Sequence, residues 1–126
     1  MAGTLTISTL SDGTNSTSST NCIQGSAKAW VNFVGSSGSV NGSYNVSSVT
    51  RSSAGSYIVN FTNAMSSASY ATLVTAGNSG GTGQTIGQNY ASAAPTTTSV
   101  SVYCATNGVG NADPGSSGQM NVAVFR

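Results

Sequence analysis

Any chemistry in this chain has to be drawn from a very short inventory: Asp12 and Asp113, Lys28, Arg51 and Arg126, Cys22 and Cys104, and no histidine at all. Without histidine, the Ser-His-Asp and Cys-His arrangements that activate a nucleophile near neutral pH cannot be assembled. A Ser-Lys pair would have to use Lys28, which the local pattern places on the outward side of a strand. A glycosidase-like pair needs two carboxyl groups at a controlled separation. Nothing in the sequence brings Asp12 and Asp113 together, and Asp12-Gly13 and Asp113-Pro114 both read as turns. Zinc wants several Cys or His ligands and calcium wants clustered acidic oxygens, and neither grouping occurs. The run Gly77-Asn78-Ser79-Gly80-Gly81-Thr82-Gly83-Gln84-Thr85 superficially resembles a phosphate loop but lacks the lysine and the spacing. Three scattered basic residues cannot displace the counterions of a nucleic acid. The expectation is a protein that is not an enzyme, holds no cofactor or metal, and binds no nucleic acid.

One binding chemistry stays open. Trp30, Tyr44, Tyr57, Tyr70, Tyr90 and Tyr103 could stack on sugar rings while Asn and Ser side chains bond sugar hydroxyls. Most of these aromatics fall inside strand patterns, where core or subunit contact is the stronger reading, and only Tyr90, beside a long loop, is an obvious candidate for exposure. The candidate ligand-facing set is therefore Tyr90 with Asn78, Gln84, Asn107 and Asn111, on the loops Ala76 to Gly87 and Asn107 to Gly118.

The elements that would position these residues are short strands. Thr4 to Leu10 alternates Leu5 and Ile7 against Thr4, Thr6 and Ser8, the period of a half-buried strand, and Ser11 to Asn21 is a polar loop or arm. Ala27 to Val34 sets Ala27, Ala29, Val31 and Phe33 against Lys28, Trp30 and Asn32, so that Trp30 faces away from Phe33. Tyr44, Val46 and Val49 slip phase at Ser47-Ser48, which predicts a bulge, and a short connection to Ser56 to Thr62 predicts a hairpin. Ser69 to Thr75, Thr96 to Ala105 (after Pro95) and Met120 to Phe125 complete the set, with Val100, Val102 and Cys104 on one side of the second of these. No convincing helix emerges beyond one possible turn in Asn63 to Ala68. The reading is all-β: a single-domain antiparallel β-sandwich, jelly-roll-like or related, of about seven or eight strands, with residues 1–21 as an N-terminal strand and arm and 22–126 as the sandwich.

Composition bears on how such a sandwich behaves. Of 126 residues, 3 are Lys or Arg and 2 are Asp or Glu, against roughly a quarter charged in an ordinary soluble domain. Hydroxyls and amides must wet the surface instead. Val, Ile, Leu and aromatic residues gather in short runs between Ser/Gly/Asn clusters, which argues for folding over disorder. A nearly neutral domain with several strand edges associates with itself unless those edges are covered, so a defined oligomer is expected. No apolar run is long enough for a membrane-spanning helix. The start Met1-Ala2-Gly3-Thr4 has neither a basic nor an apolar stretch, so no secretory signal is expected and synthesis in a cytoplasm follows. Cys22 and Cys104 could form one disulfide, but in a reducing compartment two lone cysteines are more often small buried hydrophobes. Asn15, Asn41, Asn45 and Asn60 each begin an Asn-X-Ser/Thr triplet, which chance explains in a chain this rich in those residues.

Four segments carry a resemblance. Gly25-Ser26-Ala27-Lys28-Ala29-Trp30-Val31-Asn32-Phe33, Tyr44-Asn45-Val46-Ser47-Ser48-Val49-Thr50, Gly55-Ser56-Tyr57-Ile58-Val59-Asn60-Phe61-Thr62 and Asn121-Val122-Ala123-Val124-Phe125-Arg126, in that order, resemble a domain of tailed-bacteriophage virion proteins. That domain often stands at the C-terminal end of tail fibres, especially in phages of marine bacteria and cyanobacteria. The likeness runs from Ser8 onward and implies a place on the virion exterior after synthesis in the bacterial host cytoplasm. It also implies homo-oligomers, expected to be trimers, in contact with other virion proteins of capsid, tail or fibre. The fibre versions sit behind long shafts, whereas this chain consists of almost nothing but the domain. It is therefore expected to dock on the capsid or tail as a decoration or short-fibre subunit, or to cap a separate fibre protein. The alternative is a receptor- or glycan-binding fibre tip facing a host surface glycan. The resemblance carries no settled binding residues. Ala2 to Asn21 is the expected attachment segment, and unchanged incorporation into particles after its deletion would count against that.

Overall fold

A computed structural model of the chain describes residues 3–77, 84–88, 93–106, 110–115 and 117–126. Two antiparallel sheets face each other. The first runs in the order β4 (Val40–Tyr44), β3 (Ala27–Val34), β11 (Gln119–Phe125), β7 (Ala71–Ala76). The second runs β5 (Val46–Ser53), β6 (Ser56–Phe61), β9 (Ser99–Thr106), with β8 (Gln84–Gln88) on the far side of β9 and β10 (Gly110–Asn111) pairing its end. Strand alternation decides what meets between them. Ala29, Val31 and Phe33 from β3 and Met120, Val122 and Val124 from β11 pack against Tyr57, Val59 and Phe61 from β6 and Val100, Val102 and Cys104 from β9, in one buried cluster. The Phe33 and Tyr57 rings meet edge to face across it, centroids 5.0 Å apart. The all-β antiparallel expectation thus holds.

The connection between the two sheets differs from expectation. Tyr44 and Val46 do not share a strand: Asn45, alone between β4 and β5, adopts a left-handed conformation (φ 54°), and the chain passes there from one sheet to the other. The side chain of Asn45 makes the corner possible. Its Nδ2 donates to Lys28 O (3.0 Å) and Asn63 O (3.2 Å), and its Oδ1 accepts from Asn63 N (2.8 Å). Short amide side chains tolerate this backbone region because they can bond locally. The predicted bulge is present as well, in the register shift between Val46 and Ser48 against β6, and the β5–β6 hairpin closes with Ser53 opposite Ser56.

Four other expectations are corrected. The described residues contain eleven strands, not seven or eight. The additions are short, and β8 lies in what reads as a Gly-rich loop because its Gln and Thr residues owe their strand state to the free edge of β9. Thr4 to Leu10 is not one strand: β1 (Thr9–Ser11) and β2 (Ser16–Ser18) form a small hairpin instead. Its turn is held by Asp12 Oδ1, which accepts from Thr14 N (2.9 Å) and Asn15 N (2.7 Å). These backbone donors hold the Asp12 carboxyl below its usual range. A helix, α1 (Ser19–Gly25), occupies part of the predicted polar arm, capped by Ser18 Oγ accepting from Asn21 N at 3.1 Å. Local capping prevails over poor helix propensity there. Asn63 to Ala68, by contrast, contains bends and no helical turn. No helix among the described residues is long and apolar enough to cross a membrane.

Candidate functional site

The outward face of the β4-β3-β11-β7 sheet carries a row that the register lines up strand by strand. Tyr44 stands opposite Trp30, Trp30 opposite Ala123, and Ala123 opposite Leu73. Tyr44 is 59% exposed, Trp30 45% and Leu73 57%, so the row is apolar and open to solvent. The benzo edge of the Trp30 indole lies over Gly42 on β4, where a Cβ would come within 3.6 Å of it. Between Trp30 and Leu73 the small side chain of Ala123 leaves a groove of about 360 Å³, bordered at one end by Asn32, Asn121 and Thr75. The surface therefore consists of a ridge (Tyr44 and Trp30), a trough (Ala123) and a second ridge (Leu73).

The polar border is bonded mostly to itself. Asn32 Nδ2 donates to Asn121 Oδ1 (2.6 Å) and Gln119 Oε1 (2.9 Å), Asn32 Oδ1 accepts from Asn41 Nδ2 (2.8 Å), and Asn121 Nδ2 donates to Thr75 Oγ1 (3.2 Å). These cross-strand amides replace the ion pairs that a more charged sheet would use.

A second open apolar surface lies on the N-terminal unit formed by residues 3–8, β1, β2 and α1. Leu5, Ile7, Leu10, Cys22 and Ile23 line a groove of about 370 Å³, and no residue of α1 is buried. The unit is tied together by Ser19 N donating to Ser8 O (2.9 Å). It joins β3 through the single residue Ser26, where Lys28 Nζ is bonded to Ile23 O and, at 2.9 Å, to Ser26 Oγ.

The charged groups are not scattered as the sequence suggests. Asp113 is a hub: its carboxylate accepts from Arg51 Nη2 (2.6 Å) and Nε (3.1 Å), Gly55 N (2.9 Å) and Tyr57 Oη (2.6 Å). Burial by itself would raise this carboxyl, but the Arg51 guanidinium, the Gly55 N–H and the Tyr57 hydroxyl together hold it below the usual carboxylate range. Burial, reinforced by the adjacent carboxylate, pushes the Tyr57 phenol well above its normal value and raises the Cys104 thiol too. Asp113 is thus more than a turn residue: it ties the turn after β10 to the β5–β6 hairpin. Lys28 and Arg126 both line a pocket with Asn45 and Met65, and Arg126 Nη1 is bonded to Ser66 Oγ. No group of three potential metal ligands occurs among the described residues.

Of the five candidate ligand-facing residues, Gln84 and Asn111 lie among the described residues, on the two strands that pair with the end of β9. Tyr90, Asn78 and Asn107 lie outside the described residues. Gln84 begins strand β8, its backbone opposite Thr106, and the exposed Asn111 is engaged through Nδ2 with Ser56 Oγ at 3.1 Å. Among the described residues, the aromatic side chains that face solvent are Trp30 and Tyr44, while Tyr57 is buried and Tyr70 and Tyr103 are half-buried. The outward side of β3 was legible as the Lys28/Trp30/Asn32 face. That Tyr44 lies opposite Trp30 is fixed by strand register, which has no local signal. Cys104 is buried as expected of a small hydrophobe, whereas Cys22 is exposed on α1, a helix that has no core beneath it, and both thiols are free. No protein-family model, curated protein or solved structure matches the chain.

Proposed function

We propose that this chain is a structural subunit of the exterior of a tailed-phage particle, as a capsid decoration or a short-fibre or tail-fibre subunit, and that it works by assembling with like copies and with neighbouring virion proteins. The observation that carries the assembly part is the solvent-facing row Tyr44–Trp30–Ala123–Leu73 on a sheet whose other side is already buried. Contiguous apolar surface of this kind marks an interaction face. The virion setting rests on the resemblance of the four segments to the tail-fibre domain. The test is to probe intact purified particles with an antibody against the chain and count copies per particle by quantitative mass spectrometry. Particles in which the chain is absent, or shielded from antibody, would remove it from the exterior.

A second reading has its own support. The exposed Trp30 and Tyr44 side chains, flanked by Asn32, Asn41 and Asn121, combine aromatic surface with amides in the way neutral glycan recognition requires. A glycan array probed with purified protein separates the readings: binding abolished by Trp30→Ala favours recognition, and an empty array leaves assembly.

A further inference from the structure

We propose that the N-terminal unit of one copy seats on the outward face of the β4-β3-β11-β7 sheet of a second copy, with the Tyr44–Trp30 ridge lying in the groove lined by Leu5, Ile7, Leu10 and Ile23. This rests on the assembly reading and names its contact.

Eight large hydrophobic side chains are exposed among the described residues, and seven of them fall into two sets. Leu5, Ile7, Leu10 and Ile23 belong to the N-terminal unit, and Trp30, Tyr44 and Leu73 belong to the outward sheet face, whereas Val40 pairs with the inward Phe33 at the edge of the sheet. The side chains of the first set are 39–81% exposed and those of the second 45–59%, and a standard stable interface of roughly 800 Å² per partner requires the flanking polar residues to share the contact. The shapes correspond as well, with the Tyr44–Trp30 ridge on one surface and a groove of about 370 Å³ on the other. Charge is matched by its absence. The ionic groups nearby are each engaged within their own chain: the Asp12 carboxylate accepts from Thr14 N and Asn15 N, and the Lys28 ammonium is bonded to Ile23 O and Ser26 Oγ.

Two features select a second copy over closure within one chain. The one-residue link at Ser26 and the Lys28 contacts fix the unit beyond the start of β3, so it cannot fold back over Trp30 without breaking them. The unit also has no interior of its own: two strands of 3 residues and a helix of 7 residues with nothing buried are too small to be stable uncovered. Pairing two sheet faces with each other would leave both N-terminal units bare, whereas unit-on-face contact covers both surfaces. Such a contact is heterologous, and when its rotation closes it produces a ring.

The experiment is light scattering coupled to size-exclusion chromatography on the full chain and on Trp30→Lys and Ile23→Lys, with circular dichroism confirming the β spectrum. The intact chain is expected at a multiple of 12.4 kDa, and each variant alone as a single chain. Mixed in equal amounts, the variants are expected to form a complex of twice the single-chain mass. Trp30→Lys keeps a working N-terminal unit and Ile23→Lys keeps a working face. That rescue also excludes misfolding as the cause of either loss. If the intact chain assembles but Ile23→Lys assembles equally well, or the mixture stays monomeric, this contact is wrong and the assembly reading survives. A monomeric intact chain overturns both.

Discussion

The phenol of Tyr57 donates a 2.6 Å hydrogen bond to the carboxylate of Asp113, a residue 56 positions later in the chain. One residue of the core is thereby joined to a turn whose apolar anchor is the buried Pro114, and the same carboxylate also engages Arg51 and Gly55 N. The folded-state pKa of Asp113 is lowered from 3.8. Its contribution to stability is therefore fully present above about pH 4 and is lost as pH falls through the lowered folded value. Urea midpoints are expected to be flat from neutral pH down to about pH 5 and to drop below about pH 4. In Asp113→Asn that acid step should shrink, with a loss of about 1–3 kcal/mol at pH 7. An acid step of unchanged size in Asp113→Asn would assign it elsewhere.

Asn45 contributes both a left-handed backbone and three side-chain bonds to the corner between sheets. Asn45→Ala is expected to cost about 2–3 kcal/mol, from the strained backbone and the lost bonds together. Asn45→Gly, which relieves only the strain, should cost about 1 kcal/mol less. Denaturant titration of the pair measures both parts, and equal losses would show that the backbone conformation contributes nothing.

Gly55, at φ +67°, lies where a Cβ would come 2.2 Å from Cys104 O and 2.5 Å from Ala112 N, both backbone atoms. Gly13 has a comparable positive φ of +94° but open space around it. Gly55→Ala should therefore be damaging, at more than about 3 kcal/mol, and Gly13→Ala should cost only about 1 kcal/mol. Thermal melts of the two variants side by side check the contrast.

Cys22 is exposed and Cys104 is fully buried among Val and aromatic side chains, its thiol pushed toward the protonated form by burial and by Asp113. A thiol reagent should label one cysteine quickly in the native protein and the second only on unfolding. Peptide mapping should place the first label on Cys22. Rapid labelling of both would mean that the β9 side of the core opens readily.

Much of the sandwich is legible in the order of residues because alternation is a local property. Val31 and Phe33, Tyr57, Val59 and Phe61, Val100 and Val102, and Met120, Val122 and Val124 alternate as shared strand faces in the sequence, and the structure buries each of these faces in the core. The slip at Ser47 is legible for the same reason. The helix at Ser19–Gly25 is not, because Ser, Thr and Asn bond to the backbone in both loops and caps, and a segment with no buried face leaves no periodic trace. The exposure of Trp30 and Tyr44 is not legible either, because an aromatic residue in a strand pattern is more often covered by core or subunit contact.

The sequence alone determined the class of structure and the near-absence of ionic side chains, since both follow from residue types and their two-residue period. Tertiary structure decided the rest. It turned two distant charged residues, Arg51 and Asp113, into a linked pair around Tyr57, passed the chain between sheets at Asn45, and aligned Tyr44, Trp30, Ala123 and Leu73 in one row. Each of these depends on which strands pair and in what register, a choice made by burying the whole core at once and not by any segment of it.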